Sequence, residues 1–250
     1  GSELHVVRDE LLRGREPRLA PLVRALVLQG NSRADFSGAI LGLEGQADVT
    51  PFLTLRMETG FEDYWRGDSN AAAGYFLVGG ELRPSPKQQF ELDFGYHTLP
   101  ESSRNVVLDA SYTHRFEKWA VEAGFERYLR FDSYLALVGD EIAGVSVGAA
   151  RENRFYAVTS TRRGAFGARF EPSLGWVDAR GVSANPFVGL RARLEHRILE
   201  RGSVEIAPFY GLEIQHYDED AFGFDLSGGE PYPGGYFSPR VFFEQVPGLS

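Results

Sequence analysis

The sequence predicts an all-β protein: an antiparallel up-and-down transmembrane β-barrel of about twelve strands behind a short helical or irregular leader. Three observations point there. Apolar and polar residues alternate with period two through most of the 250 residues. The alternating runs are about ten to fourteen residues long, close to what a tilted bilayer span needs. Tight turns at one end of the runs alternate with longer polar links at the other, the asymmetry of a barrel with two unlike rims.

The first run opens near residue 20, and the second and third lead to a face carrying Arg56, Glu58 and Glu62. In 90–98, Phe90, Leu92, Phe94 and Tyr96 oppose Glu91, Asp93, Gly95 and His97. In 106–116, Val106, Leu108, Ala110, Tyr112 and Phe116 oppose Asp109, Ser111, Thr113 and Arg115. In 119–131, Trp119, Val121, Ala123, Phe125, Leu129 and Phe131 oppose Glu122, Gly124, Glu126 and Arg130. In 166–176, Phe166, Ala168, Phe170, Leu174 and Trp176 oppose Gly167, Arg169, Glu171 and Gly175. Arg191, Arg193 and Glu195 continue the charged face, followed by Glu205, Glu213 and Gln215.

The tight turns fall at Thr50-Pro51, Pro84 to Lys87, Glu117-Lys118, Arg163-Gly164 and Glu200 to Gly202. The longer links fall at 31–35, 66–70, 99–104, 132–150, 179–184 and 218–235. A hairpin hidden in a long link such as 132–150 raises the expected count to about fourteen to sixteen strands.

A soluble β-sandwich also alternates, but its strands average about five or six residues. Aromatic residues at run ends (Tyr64-Trp65, Phe116 with Trp119, Phe155-Tyr156, Trp176, Tyr217) fit the interfacial girdles of a membrane barrel. A soluble barrel would turn its apolar face inward, whereas the membrane reading turns the charged face inward.

Composition excludes several functions. The chain holds 35 acidic and 26 basic residues, a net charge of −9, which opposes binding to nucleic acid. With no Cys it has no disulfide framework and no thiolate metal site. No run reaches the ~18–20 apolar residues of a spanning helix. Hydrolytic chemistry needs a Ser or Thr beside an oriented His. None of His5, His97, His114, His196 and His216 has such neighbours on its own strand face, so no catalytic residue, cofactor or metal site is expected. The acidic Asp218-Glu219-Asp220 reads as a solvated loop.

The stretch Gly234-Gly235-Tyr236-Phe237-Ser238-Pro239, after the long acidic loop, is a turn that re-enters the sheet: paired glycines, two aromatics, and a proline that withholds a donor. This hexapeptide and its setting resemble the C-terminal barrel of the cellulose synthase operon protein C family. The resemblance implies a bacterial outer-membrane location and export of an exopolysaccharide such as cellulose or a related glycan. It implies as partners outer-membrane lipid, the exported polysaccharide, and a periplasmic helical-repeat scaffold or inner-membrane synthase complex. It further implies that residues 20–250 form the outer-membrane barrel, read either as a shortened barrel or as one that is C-terminally incomplete. Residues 1–19 then read either as the end of a preceding helical region, with Leu4, Val7, Leu11 and Leu12 at helical spacing, or as a disordered leader.

On that reading the pore is lined by Arg56, Glu58, Glu62, Asp93, His97, Asp109, Arg115, Glu122, Glu126 and Arg130, and by Arg169, Glu171, Arg191, Arg193, Glu195, Glu205, Glu213 and Gln215. Interleaved acids and bases suit a hydrated pore for a neutral or weakly charged glycan better than an ion-selective channel, which carries rings of one sign. Two alternatives stay open: a structural barrel with a closed lumen, and an outer-membrane hydrolase.

Overall fold

The computed structural model describes residues 17–28, 36–99, 106–130, 137–138, 140–142, 145–180, 182–201, 204–218, 223–224, 232–233 and 240–249. Strands β1 (Arg18–Leu28), β2 (Phe36–Thr50), β3 (Leu53–Arg66), β4 (Ser69–Ser85), β5 (Gln88–His97), β6 (Val106–Arg115) and β7 (Trp119–Leu129) lie side by side in chain order. The short β8 (Asp140–Ile142) pairs with the start of β9 (Val145–Arg163), which is followed by β10 (Phe166–Arg180) and β11 (Val182–His196). The short β12 (Leu199–Arg201) and β13 (Val204–Ile206) form their own ladder before β14 (Pro208–Tyr217). The short β15 (Gly223–Phe224) and β16 (Tyr232–Pro233) form another before β17 (Val241–Leu249).

The wall is one sheet in the order β1-β2-β3-β4-β5-β6-β7-β9-β10-β11-β14-β17, every pairing antiparallel. Twelve up-and-down strands is the number the alternation predicts. The 132–150 link does contain a hairpin, but β8 pairs only with β9 and lengthens that strand without adding to the wall.

The strict alternation of short and long links does not hold. The 66–70 link contracts to Gly67-Asp68, because β3 and β4 stay paired out to Arg66↔Ser69 and Gly67 adopts φ 56°, a turn conformation open to glycine. The 179–184 link contracts likewise, since β10 runs to Arg180 and β11 starts at Val182. Conversely, the 197–207 link on the tight-turn side carries the β12–β13 ladder. Strand β1 begins at Arg18, two residues inside the expected leader; residues 1–16 lie outside the described residues.

The sheet is strongly curled. Four ladder steps separate β7 from β14, roughly 19 Å if the sheet were flat. Yet Arg130, just past β7, donates from Nη1 to the Tyr217 hydroxyl on β14 at 3.3 Å. The shared face of β1 to β7 walls a cavity of about 780 Å³ bordered by Arg18, Glu44, Arg56, Asp93, Asp109 and Glu126.

Amphipathicity is inverted relative to a water-soluble fold. The convex face presents Val23, Phe61, Phe94, Phe170, Leu174, Val188 and Phe243, all exposed, with Phe61 at 77%. A continuous apolar surface of this extent marks contact with an apolar medium or partner. Among the described residues no helix is long and apolar enough to cross a membrane.

Candidate functional site: the charged inner face

Residues directly opposite in a ladder share a face, so the register traces one row across the wall. It runs Arg18, Gln46, Arg56, Gly79, Asp93, Asp109, Glu126, Arg154, Gly175, Phe187 and Tyr217. The row starts at the tight-turn end of β1 and finishes at the long-loop end of β14, the stagger expected of tilted strands. Arg56, Glu58, Glu62, Asp93, His97, Asp109, Arg115, Glu122, Glu126, Arg169, Glu171, Arg191, Arg193, Glu195, Glu213 and Gln215 all lie on this concave face, and Arg130 continues its register just beyond β7. Glu205 does not belong to this wall: it sits on β13, whose ladder is with β12 alone. Residues 234–239, the hexapeptide, fall outside the described residues.

The half of the inner face near the tight turns is open. Arg56 donates from Nε and Nη2 to Asp93 at 2.7 and 2.5 Å and from Nη2 to Glu91 at 3.4 Å. Arg56 and Asp93 lie on strands separated by β4, and they meet because β4 places Gly79 between them; a side chain at Gly79 would occupy the space of the Asp93 carboxylate. Arg162 pairs with Glu195 at 2.6 Å, with 53% of the arginine side chain exposed. Arg169 and Arg193 face each other directly. Each finds an acid on its own strand, Glu171 at 2.8 Å and Glu195 at 3.6 Å, and Arg193 also lies over the Phe209 ring at 3.8 Å.

At mid-height a ladder of ion pairs crosses five strands. Arg154 reaches Glu126 at 3.0 Å and Glu171 at 3.2 Å, and Arg191 reaches Glu171 at 3.6 Å and Glu213 at 2.9 Å. Glu126, Glu171 and Glu213 alternate with these two guanidiniums, so no carboxylate in the ladder lacks a counter-charge.

The long-loop end is packed. Glu62, His97, Arg130, Glu152, Asn185 and Gln215 are buried there, with Tyr64, Leu99, Phe187 and Tyr217. Glu62 on β3 meets His97 Nδ1 on β5 at 2.8 Å, across the small Ala73 of β4, and the His97 ring stacks on Tyr75. Arg130 donates to Glu152 at 2.6 Å and Tyr217 donates to Gln215 at 2.9 Å. Leu129, on the apolar register of β7, is covered by Leu137 and Val138 of the following segment. Arg151 pairs with Asp178, which also accepts from Asn153, so the outer register of β9 is polar and buried at this end.

Several inner-face residues escaped the sequence reading. Arg24, which bonds Glu58 at 3.3 Å, sits in an otherwise apolar run. Glu152 and Arg154 sit in the polar run Arg151 to Arg154, where no period is visible. The inner tyrosines Tyr75 and Tyr156 look apolar in a pattern count. Their signal is a glycine on a neighbouring strand: Tyr75 lies over the opposed Gly42 and Gly60, and Tyr156 over Gly124.

The remaining histidines face away from these groups. His114 lies on the convex register beside Tyr112 and Phe116, His196 stacks on Phe166 at 4.2 Å, and His216 occupies the convex register of β14. His5 lies outside the described residues.

An apolar convex face around a paired, charged concave face defines an inside-out up-and-down β-protein. Residues 52–247 match the family model of the cellulose synthase operon protein C C-terminus, and the chain belongs to that family. No curated protein matches the sequence.

Proposed function

We propose that this chain is a bacterial outer-membrane channel for export of an exopolysaccharide, cellulose or a related glycan, acting without catalysis. The inverted amphipathicity carries the reading: a charged concave face and an exposed apolar convex face fit a hydrated lumen surrounded by lipid. Phe166 and Trp176 bound the apolar part of the convex face of β10, which Asp178 and Arg180 continue. Their separation corresponds to roughly 33 Å along the strand and, at barrel tilt, roughly 25 Å of height, the height of an outer-membrane apolar band. Family membership supports a glycan as the cargo. Tight turns face the periplasm in this reading, where a helical-repeat scaffold or synthase complex delivers the chain.

The side chains of the lumen serve such cargo. Sugar hydroxyls both donate and accept, and the mid-height ladder offers guanidinium donors and carboxylate acceptors in alternation. Because those charges are paired, the path has no strong net sign to trap counter-ions.

The test is conductance in planar bilayers: the folded protein opens discrete channels that oligosaccharides block. A folded, inserted protein that never conducts supports the second reading, a structural barrel with a closed lumen. The packed long-loop end is the observation in favour of that alternative.

A further inference from the structure

We infer that Tyr156 and the polar groups around it form a glycan-binding subsite on the wall of the lumen. The inference rests on the export reading and extends it to a specific place.

A cavity of about 320 Å³ opens on the inner face between β5 and β10, at the small end of ligand pockets. Glu91, Asp109, Glu122, Thr113 and Arg169 border it, and Tyr156 is its aromatic ring. The ring is held by Gly124 and by Arg154. Gly124, directly opposite on β7, provides a flat bed, since a methyl group there would stand 2.6 Å from the ring carbon bearing the hydroxyl. The Arg154 guanidinium lies 5.3 Å from the ring centroid and is itself fixed by Glu126 and Glu171.

Tyr64, Tyr75 and Tyr217 are buried, whereas Tyr156, like Tyr128 on the same face, is half-buried and borders open space.

This combination matches a pyranose. The axial C–H groups of a sugar ring carry partial positive charge and settle on the negative face of an aromatic ring. Its equatorial hydroxyls project sideways, where carboxylates accept and the Arg169 guanidinium donates. Asp109 suits the acceptor role: it faces Asp93 and Glu126 in the ladder, and both of those are engaged by arginines. A neutral polyhydroxylated chain with flat sugar faces, such as a β-linked glucan, is the ligand this chemistry takes.

The experiment uses cellohexaose as the probe and two readouts. Calorimetric titration of the folded, detergent-solubilised protein reads binding, and planar bilayers read conductance and block. Tyr156→Ala is expected to raise Kd about tenfold and shorten block dwell times similarly, with open-channel conductance retained. Tyr156→Phe, which keeps the ring, is expected to stay within about twofold of the parent protein. Should Tyr156→Ala fail to fold, Asp109→Asn removes an acceptor charge without altering shape and is expected to weaken binding severalfold. Cellohexaose binding that is absent in the parent protein, or equal in parent, Tyr156→Ala and Asp109→Asn, overturns the subsite. Binding that depends on Tyr156 in a protein that never conducts upholds the subsite and removes the export reading instead.

Discussion

The two ends of the inner face are built from the same residue types and behave oppositely. Near the tight turns, Arg56, Arg162, Arg169 and Arg193 pair with acids while keeping much of their surface in water. Near the long loops, Arg130, Glu152, Glu62 and His97 pair in a layer closed by tyrosines and aliphatic residues. An ion pair in water gains little, whereas a buried pair is costly to break because the survivor has no solvent. The charged inner face is therefore two materials: a wet, adjustable wall and a fixed polar plug.

The largest effect comes from breaking the plug. Glu152 has a side chain only 2% exposed and accepts from Arg130 at 2.6 Å. Glu152→Leu takes the carboxylate away from a buried guanidinium and is expected to cost about 3–5 kcal/mol, read as a fall in the urea midpoint of unfolding from lipid vesicles. Next comes the wall shared by both ends. Leu174, 57% exposed near the middle of β10, is expected to tolerate no charge: Leu174→Arg costs about 2–4 kcal/mol if the convex face meets lipid. The same substitution in a water-facing sheet would be near neutral, so this variant separates the two environments directly.

A smaller loss is expected where the two materials meet. A methyl group at Gly60 would lie 2.8 Å from the Gly42 backbone and 2.9 Å from the Tyr75 ring, which donates its hydroxyl to Glu58 at 2.9 Å. Gly60→Ala is expected to cost about 1–3 kcal/mol, measured by the same unfolding assay. The smallest effect belongs to the wet wall. Arg169 is half exposed, and Glu171 keeps Arg154 and Arg191 when it is gone. Arg169→Gln is expected to change stability by less than about 1 kcal/mol while shifting reversal potentials toward cation preference in bilayers.

Most of the wall was legible in the sequence. Runs such as Phe90 to His97 and Phe166 to Trp176 alternate cleanly because one face is apolar and the other charged, and the ladders reproduce that division residue by residue. Legibility fails where that contrast disappears. From Arg151 to Arg154 both faces of β9 are buried and polar, so period two carries no information there. Link lengths misled for a related reason. Polar composition marks 66–70 and 179–184 as loops, but backbone ladders continue through polar residues wherever partners exist, as Trp65↔Asn70 and Ala179↔Val182 show.

By itself the sequence determined the class of fold and the sign of each face, because these follow from local alternation within one strand. Only the tertiary structure decided which charges meet. Arg56 finds Asp93 over a glycine, Glu62 finds His97 over an alanine, and Arg130 finds Tyr217 across a curled sheet. Those encounters depend on register, stagger and curvature, which are set by the whole ladder and are invisible in any single strand. The same geometry separates an open Tyr156 from a buried Tyr217: their chemistry is identical, and only their place in the sheet differs.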